Sequence, residues 1–200
     1  MLRAIVFIAF VFSLTAVQAQ KFPSDFWHEG KIVLETGDTL HCNIKYDLQN
    51  DIIQSELNGR LESFTPRKAV FFEIFDKTSK RYRSFYALPY SATGQYRATI
   101  FFELLAEGKM TLLSRESIEF RNYPSSFYYY GSTSRMVLVN KYFLLKENGE
   151  IQAFTGRRND LLELMGRQED AVQKYIKANK LSIENKYQFA DIVKYYNSLQ

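Results

Sequence analysis

Cysteine is almost absent from this chain. Cys42 is the only one among 200 residues, which excludes an internal disulfide and any paired Cys-x-x-Cys motif. Histidine is nearly as scarce: His28 and His41 are the only two, too few with Cys42 to close a structural zinc site of nitrogen and sulfur ligands. A phosphate-cradling glycine-rich loop, a nucleophile elbow and an EF-hand loop are also missing, and no repeat of fixed period runs through the chain. Neither sign of charge dominates, since 26 basic and 22 acidic residues leave a formal charge of +4 and are interspersed. Bulk electrostatics therefore names no acidic partner. Long apolar runs are lacking too. The one candidate, residues 4–14, is short of the ~20 residues that a membrane span needs.

That run has a different meaning in its setting. Arg3 precedes it and Val17-Gln18-Ala19 follows it, the three-part pattern of a secretory signal peptide cut after Ala19. The expectation is an exported protein beginning at Gln20, in the periplasm, on the outer-membrane surface or outside the cell. No cysteine stands at the cut to carry a lipid.

What the chain has in abundance is aromatic side chains, at 16%, which favour strands and a core of large rings. The organising stretch is residues 135–155, read as two strands joined at Asn148-Gly149. A two-residue loop there would set Glu147 against Glu150, a like-charge pair. A three-residue loop ending in a left-handed Gly149 sets Lys146 against Glu150 instead, and is the predicted form. Similar signals join residues 31–35 to 39–46 around Thr36-Gly37-Asp38, and residues 52–57 to 60–64 around Asn58-Gly59. Further strands are predicted over residues 69–75, 81–87, 99–106 and 109–114. Residues 99–106 carry apolar side chains on both parities, as a strand covered on both faces does. Residues 123–133 read as a loop or irregular strand.

Past Gly156 the apolar spacing becomes helical. Leu161, Leu162, Leu164 and Met165 form one patch, with Asn159 or Asp160 as cap. Val172, Tyr175 and Ile176 line a second helix, and Phe189, Ile192, Val193 and Tyr196 a third. The predicted fold is mainly β (α+β): an antiparallel barrel, sandwich or bent sheet over residues 20–155, with residues 156–200 forming a cap of two or three helices.

Three stretches carry a family resemblance: the Val-Gln-Ala-Gln export junction, the opening Gly30-Lys-Ile-Val-Leu-Glu-Thr-Gly-Asp-Thr-Leu40 hairpin, and the closing Lys174-Tyr-Ile-Lys-Ala-Asn-Lys-Leu181 with Tyr195-Tyr-Asn197. Together they resemble uncharacterised exported proteins of Bacteroidetes-type Gram-negative bacteria. The resemblance implies an envelope or extracellular setting and carries no known activity.

Candidates for chemistry are few. His41 and Cys42 are adjacent in a strand, so they point to opposite faces and do not form a nucleophile pair. His28-Glu29, beside Trp27, reads as a surface-exposed lead-in to the first strand. Among Glu73, Glu103, Glu116 and Glu119, Glu103 is the one catalytic candidate, because it lies in an apolar run where burial would raise its pKa; pairing with Arg115 is the other reading. Lys77, Lys80, Arg81 and Arg83, with Tyr82, Phe85 and Tyr86, mix cations and rings as nucleic-acid surfaces do. Export argues for a solvated hairpin tip instead. Tyr128, Tyr129 and Tyr130, followed by Gly131, are the ligand-binding candidates, since exposed tyrosines offer flat faces and a hydroxyl.

The functional expectation is a non-catalytic envelope interaction module contacting protein or glycan. Its alternative is a hydrolase of envelope polymer or glycan working through a carboxylate pair. No metal, cofactor or nucleic acid is expected, while peripheral membrane contact and a homo-oligomer through a free strand edge both fit.

Overall fold

The computed structural model describes residues 20–92, 96–124 and 132–199. Ten strands form one antiparallel sheet: β1 (His28–Leu34), β2 (Thr39–Asp47), β3 (Ile52–Leu57), β4 (Arg60–Phe64), β5 (Ala69–Asp76), β6 (Arg81–Tyr90), β7 (Ala98–Ala106), β8 (Thr111–Pro124), β9 (Ser132–Leu145) and β10 (Ile151–Phe154). The order across the sheet is β10-β9-β8-β7-β6-β5-β1-β2-β3-β4. Of the three predicted β architectures, it is the bent sheet. Three helices follow, α1 (Arg158–Met165), α2 (Glu169–Asn179) and α3 (Lys186–Ser198).

Turn chemistry decides much of the register. At the β9–β10 connection Lys146 N donates to Glu150 O and Gly149 N to Lys146 O, both at 2.9 Å, and Gly149 has φ +82°. This is the predicted three-residue bulged loop. Lys146 Nζ lies 3.1 Å from Glu150 Oε2, so the charge argument that chose the register is realised in the fold. Elsewhere a glycine serves close approach: a Cβ on Gly30 of β1 would stand 2.1 Å from the Glu73 carbonyl oxygen of β5.

The sheet curls. Asp51, in the turn between β2 and β3, accepts from Phe101 N of β7 at 3.2 Å and lies 3.4 Å from Arg115 Nη2 of β8. Those strands stand far away in the sheet order, so the β1–β3 end must bend back over the middle. Pairing explains why the contact is available. β7 and β8 pair only as far as Glu103↔Ser114; beyond that, β8 runs on with β9 alone, up to Pro124↔Ser132. Asp51 thus satisfies an amide in the strand from which β8 has departed. Residues 115–124 extend β8 well past its predicted end.

Strand alternation sorts the core. Ile32, Ile44, Tyr46, Ile53, Phe72, Phe85 and Phe101 fill the inside of the curl, with Phe72 and Phe85 stacked at 4.3 Å and Tyr46 edge-on to both. Further along the same face of β7 and β8, Leu105, Ala106 and Leu112 meet Leu161, Leu162, Met165, Val172, Ile176, Phe189 and Val193 of the helices. Phe102, Leu113 and Phe143 form a third cluster on the opposite face. β7 is covered on both faces, as its double parity of apolar residues requires.

The helical spacing holds with one exception: Leu164 is exposed. Asp160 does cap α1, from its third position, by accepting from Arg157 N. Asn185 caps α3, its side-chain oxygen accepting from Tyr187 N and Gln188 N.

Candidate functional site

Between the two cores on the α3 side of the sheet lies a cluster of charge. Arg83 of β6 reaches Glu103 of β7 with two bonds, Nε to Oε1 at 2.9 Å and Nη2 to Oε2 at 2.7 Å. The same Nη2 lies 2.9 Å from Glu116 Oε1 of β8, and Nη1 lies 3.5 Å from Asp76 Oδ2 of β5. From above, Lys186 in the first turn of α3 donates to Glu103 Oε2 at 3.0 Å and to Glu116 Oε1 at 2.8 Å. Ser114 adds a bond to Glu103 Oε2 at 3.3 Å. Every charged side chain in the set is 9% exposed or less.

Two cations therefore serve three carboxylates in a space closed to water. Burial pushes the Glu103 carboxyl upward, but the Arg83 guanidinium and the Lys186 ammonium outweigh it and hold the group below its ordinary range. This corrects the expectation that burial would raise Glu103. It also reassigns its partner: Arg115 binds Asp51, while Glu103 binds Arg83 and Lys186. Asp76 is likewise held low, burial being overcome by the amides of Thr78 and Ser79 and by Arg83. Arg83, opposed by desolvation, is driven up by Glu103 and Glu116.

Beside this cluster a cleft of about 550 Å³ opens between β9, the end of β10 and the approach to α3. Asn140 and Tyr142 of β9 lie along it, with Leu138, Phe154 and Ile183 as apolar walls. The Tyr142 hydroxyl and the Asn140 side-chain oxygen are buried and have no hydrogen-bond partner among the described residues. Asn140 pairs across the sheet with Glu116 and Tyr142 with Ser114, which places both against the charge cluster. Burial, and after it the charges of Glu103 and Glu116, push the Tyr142 phenol up to about 12. Tyr142 is thus a hydrogen-bond donor throughout the physiological range, and Asn140 presents an acceptor two residues away on the same face. A second groove of about 470 Å³ runs between the β9–β10 hairpin and α1, lined by Met110, Leu144 and Leu164. None of the buried unpartnered polar atoms belongs to its lining.

The other candidates disperse. His41 is exposed and Cys42 half-buried on opposite faces of β2, and burial raises the Cys42 thiol. His28 is not a surface residue: it is 4% exposed and donates through Nε2 to Pro23 O at 2.8 Å. Its neighbour Glu29 is exposed, 3.3 Å from Lys77 Nζ. Glu73 meets Lys31 at 3.2 Å and Glu119 meets Lys141 at 2.9 Å. Among the basic residues near the β5–β6 turn, Arg83 is a core cation rather than part of a solvated tip, and Arg81 lies over the Tyr187 ring at 4.6 Å. Tyr128, Tyr129 and Tyr130 fall between β8 and β9, outside the described residues. Among the described residues no group of histidine, cysteine and carboxylate side chains is arranged to hold a metal, and no helix is long and apolar enough to cross a membrane.

Sequence reasoning missed Lys186, Asn140 and Tyr142, and placed Arg83 at a solvated hairpin tip rather than in the core. Two of them left a signal. Arg83 shares the parity of buried Phe85, and Lys186 stands three and four residues before Phe189 and Ala190, on the buried stripe of α3. Comparison with protein-family models, curated proteins and solved structures gives no match.

Proposed function

We propose that the protein is an exported, non-catalytic envelope module that binds a polar ligand, glycan or protein, in the cleft beside Asn140 and Tyr142. The observation that carries the reading is the cleft itself, where apolar walls from Leu138, Phe154 and Ile183 meet polar side chains of Arg121, Asn140 and Glu184. Apolar walls with a few convergent polar groups are the usual composition of a binding site.

The competing reading is a hydrolase using Glu103 and Glu116. Their proximity favours it, because both carboxylates bond to the same Lys186 ammonium and the same Arg83 nitrogen. Their chemistry disfavours it. A glycosidase needs one carboxyl that carries a proton near neutral pH, whereas Glu103 is held ionised. Binding without turnover is the better account.

The test is retention of protein expressed from the complete sequence on envelope polysaccharides, peptidoglycan fragments and envelope extract, with glycoside turnover assayed in parallel. The expected result is retention without turnover, lost in a Leu138→Glu, Ile183→Glu double variant of two part-exposed wall residues whose melting temperature stays within a few degrees of the parent. Turnover abolished by Glu103→Gln, or retention untouched in the double variant, would overturn the reading.

A further inference from the structure

β9 is longer than the strand that pairs with it on its outer side. It runs from Ser132 to Leu145, but β10 covers only Tyr142 to Leu145. On the other side β8 accompanies it in unbroken register to its start. Residues 132–141 therefore have no strand partner on the β10 side among the described residues. Which backbone groups are left open follows from the hairpin. Lys146 N bonds to Glu150 O, so Lys146 faces β10, and with it every second residue of β9. Met136, Leu138 and Asn140 have that parity, and their N–H and C=O groups point at the open edge. The cleft lies along it, lined by Leu138, Val139 and Asn140 of β9 with Thr155, Gly156 and Ile183. It stands where β10 would continue had the chain not turned away to α1 after Phe154.

We propose that the cleft receives an extended segment of a partner protein, added antiparallel to β9 as a strand, with acidic and apolar side chains alternating along it. This rests on the binding reading above and names the ligand class for it. Unpaired donors and acceptors along a strand edge fix the occupant's conformation, because another extended chain presents complementary groups at the same repeat. The two faces of the β8–β9 ribbon fix its side chains. On one face Ile118 pairs with Leu138 and Phe120 with Met136, and Phe120 and Met136 are 74% and 38% exposed. On the other face Arg121 and Arg135, both exposed, stand directly opposite each other, and like charges so placed repel. Neither has a salt bridge among the described residues, and Glu119, which Arg121 attracts, is held by Lys141 at 2.9 Å. The one carboxylate of the cleft lining, Glu184, leaves the two arginines in excess. An acidic side chain opposite Arg135 relieves their repulsion, while its apolar neighbours on the added strand cover Met136 and Leu138 on the other face. A second copy of β9 fits less well, since antiparallel pairing about Leu138 sets Arg135 against Lys141. A glycan lacks the backbone repeat that the edge demands.

The experiment is calorimetric titration and hydrogen-exchange NMR of protein expressed from the complete sequence. The probes are a capped hexapeptide alternating Glu and Val, the same peptide with Lys for Glu, and the Glu-Val peptide N-methylated at each Val, whose amides would meet β9. In the free protein the Met136, Leu138 and Asn140 amides should exchange faster than those of Val137, Val139 and Lys141, which face β8. The Glu-Val peptide should bind about tenfold or more tighter than either of the others, and should slow exchange at Met136, Leu138 and Asn140. Leu138→Pro removes one edge amide and spares the bonds to β8; it should weaken binding more than Leu138→Ala, which keeps that amide. Arg135→Glu should reverse the preference between the Glu and Lys peptides. The N-methylated peptide decides the backbone question on the parent protein, whether or not Leu138→Pro folds. Equal binding of the N-methylated peptide, indifference to the sign of the peptide's charge, or slow exchange at all three edge amides in the free protein would sink the proposal. So would absence of peptide binding while retention on envelope material is lost in Leu138→Glu, Ile183→Glu; that outcome removes the strand assignment and leaves the binding reading standing. Absence of peptide binding with retention untouched in that double variant removes the two together.

Discussion

Replacing Glu103 by Gln would leave Arg83 and Lys186 buried with Glu116 and Asp76 as their remaining counter-charges. Those cations keep two carboxylates between them, so the cost is that of the charge-assisted hydrogen bonds lost, about 1.5–3 kcal/mol, and urea unfolding of Glu103→Gln should show a loss of that size. A loss under about 1 kcal/mol would mean that the cluster is solvated and that its carboxylates are free for other work. Gly149 is a cleaner case. Nothing lies within 4 Å of where its Cβ would be, and its φ is +82°, so Gly149→Val tests backbone conformation alone. The left-handed region costs an ordinary residue about 1–2 kcal/mol and a β-branched one more. A melting temperature unchanged in Gly149→Val would refute the bulged turn. These two residues also mark where the sequence was readable. The Asn148-Gly149 turn and the Lys146–Glu150 pair are decided by neighbours in the chain, and both were legible. The partners of Glu103 lie at positions 83, 114 and 186, and no local pattern brings them together; only the sheet register and the docking of α3 do.

At the scale of elements, α3 is fastened to the sheet at both ends. Lys186 anchors its first turn in the charge cluster, and Phe189, Ile192 and Val193 bury its middle. At the far end Asn197 clasps the β7–β8 turn, its side chain accepting from Met110 N at 3.0 Å and donating to Glu107 O at 3.1 Å and Met110 O at 2.9 Å. Asn197→Ala should therefore cost about 1–3 kcal/mol and speed hydrogen exchange at the Met110 amide and the last turn of α3. Exchange unchanged there would mean that helix burial alone holds the end down. The existence and buried stripe of α3 were legible from its 3.6-residue spacing, as were the strands that follow turn signals. The extension of β8 to Pro124 was not. Beyond Ser114 the residues Arg115, Glu116, Glu119, Arg121 and Asn122 break the apolar alternation, because that part of the ribbon leaves β7 and pairs with β9 alone.

For the whole molecule, the charge cluster ties β5, β6, β7, β8 and α3 into one unit, and so makes its stability depend on pH. Glu103 and Asp76 titrate lower in the folded chain than the ordinary carboxyl values of about 4.3 and 3.9. The stability that they contribute is complete above those unfolded values and is lost as pH falls through the lower folded ones. Melting temperature should hold between neutrality and about pH 5 and fall below about pH 4, and the fall should be shallower in Glu103→Gln. The rings of Tyr46, Phe72, Phe85 and Phe101 that fill the curl carry no charge in this range, so that core should outlast α3 docking, and near-neutral and acid circular dichroism should differ more in helix than in strand signal. The sequence announced the β-rich character with a helical cap through composition and periodicity. The cleft was hidden, because its lining comes from β8, β9, β10 and the approach to α3, which no local pattern brings together. What separates a binding module from a hydrolase is the proton on Glu103, and ¹³C NMR titration of its carboxyl measures that directly. A midpoint below the ordinary value of about 4.3 is the result predicted here; a midpoint above about 6, where a general acid must sit, would contradict it.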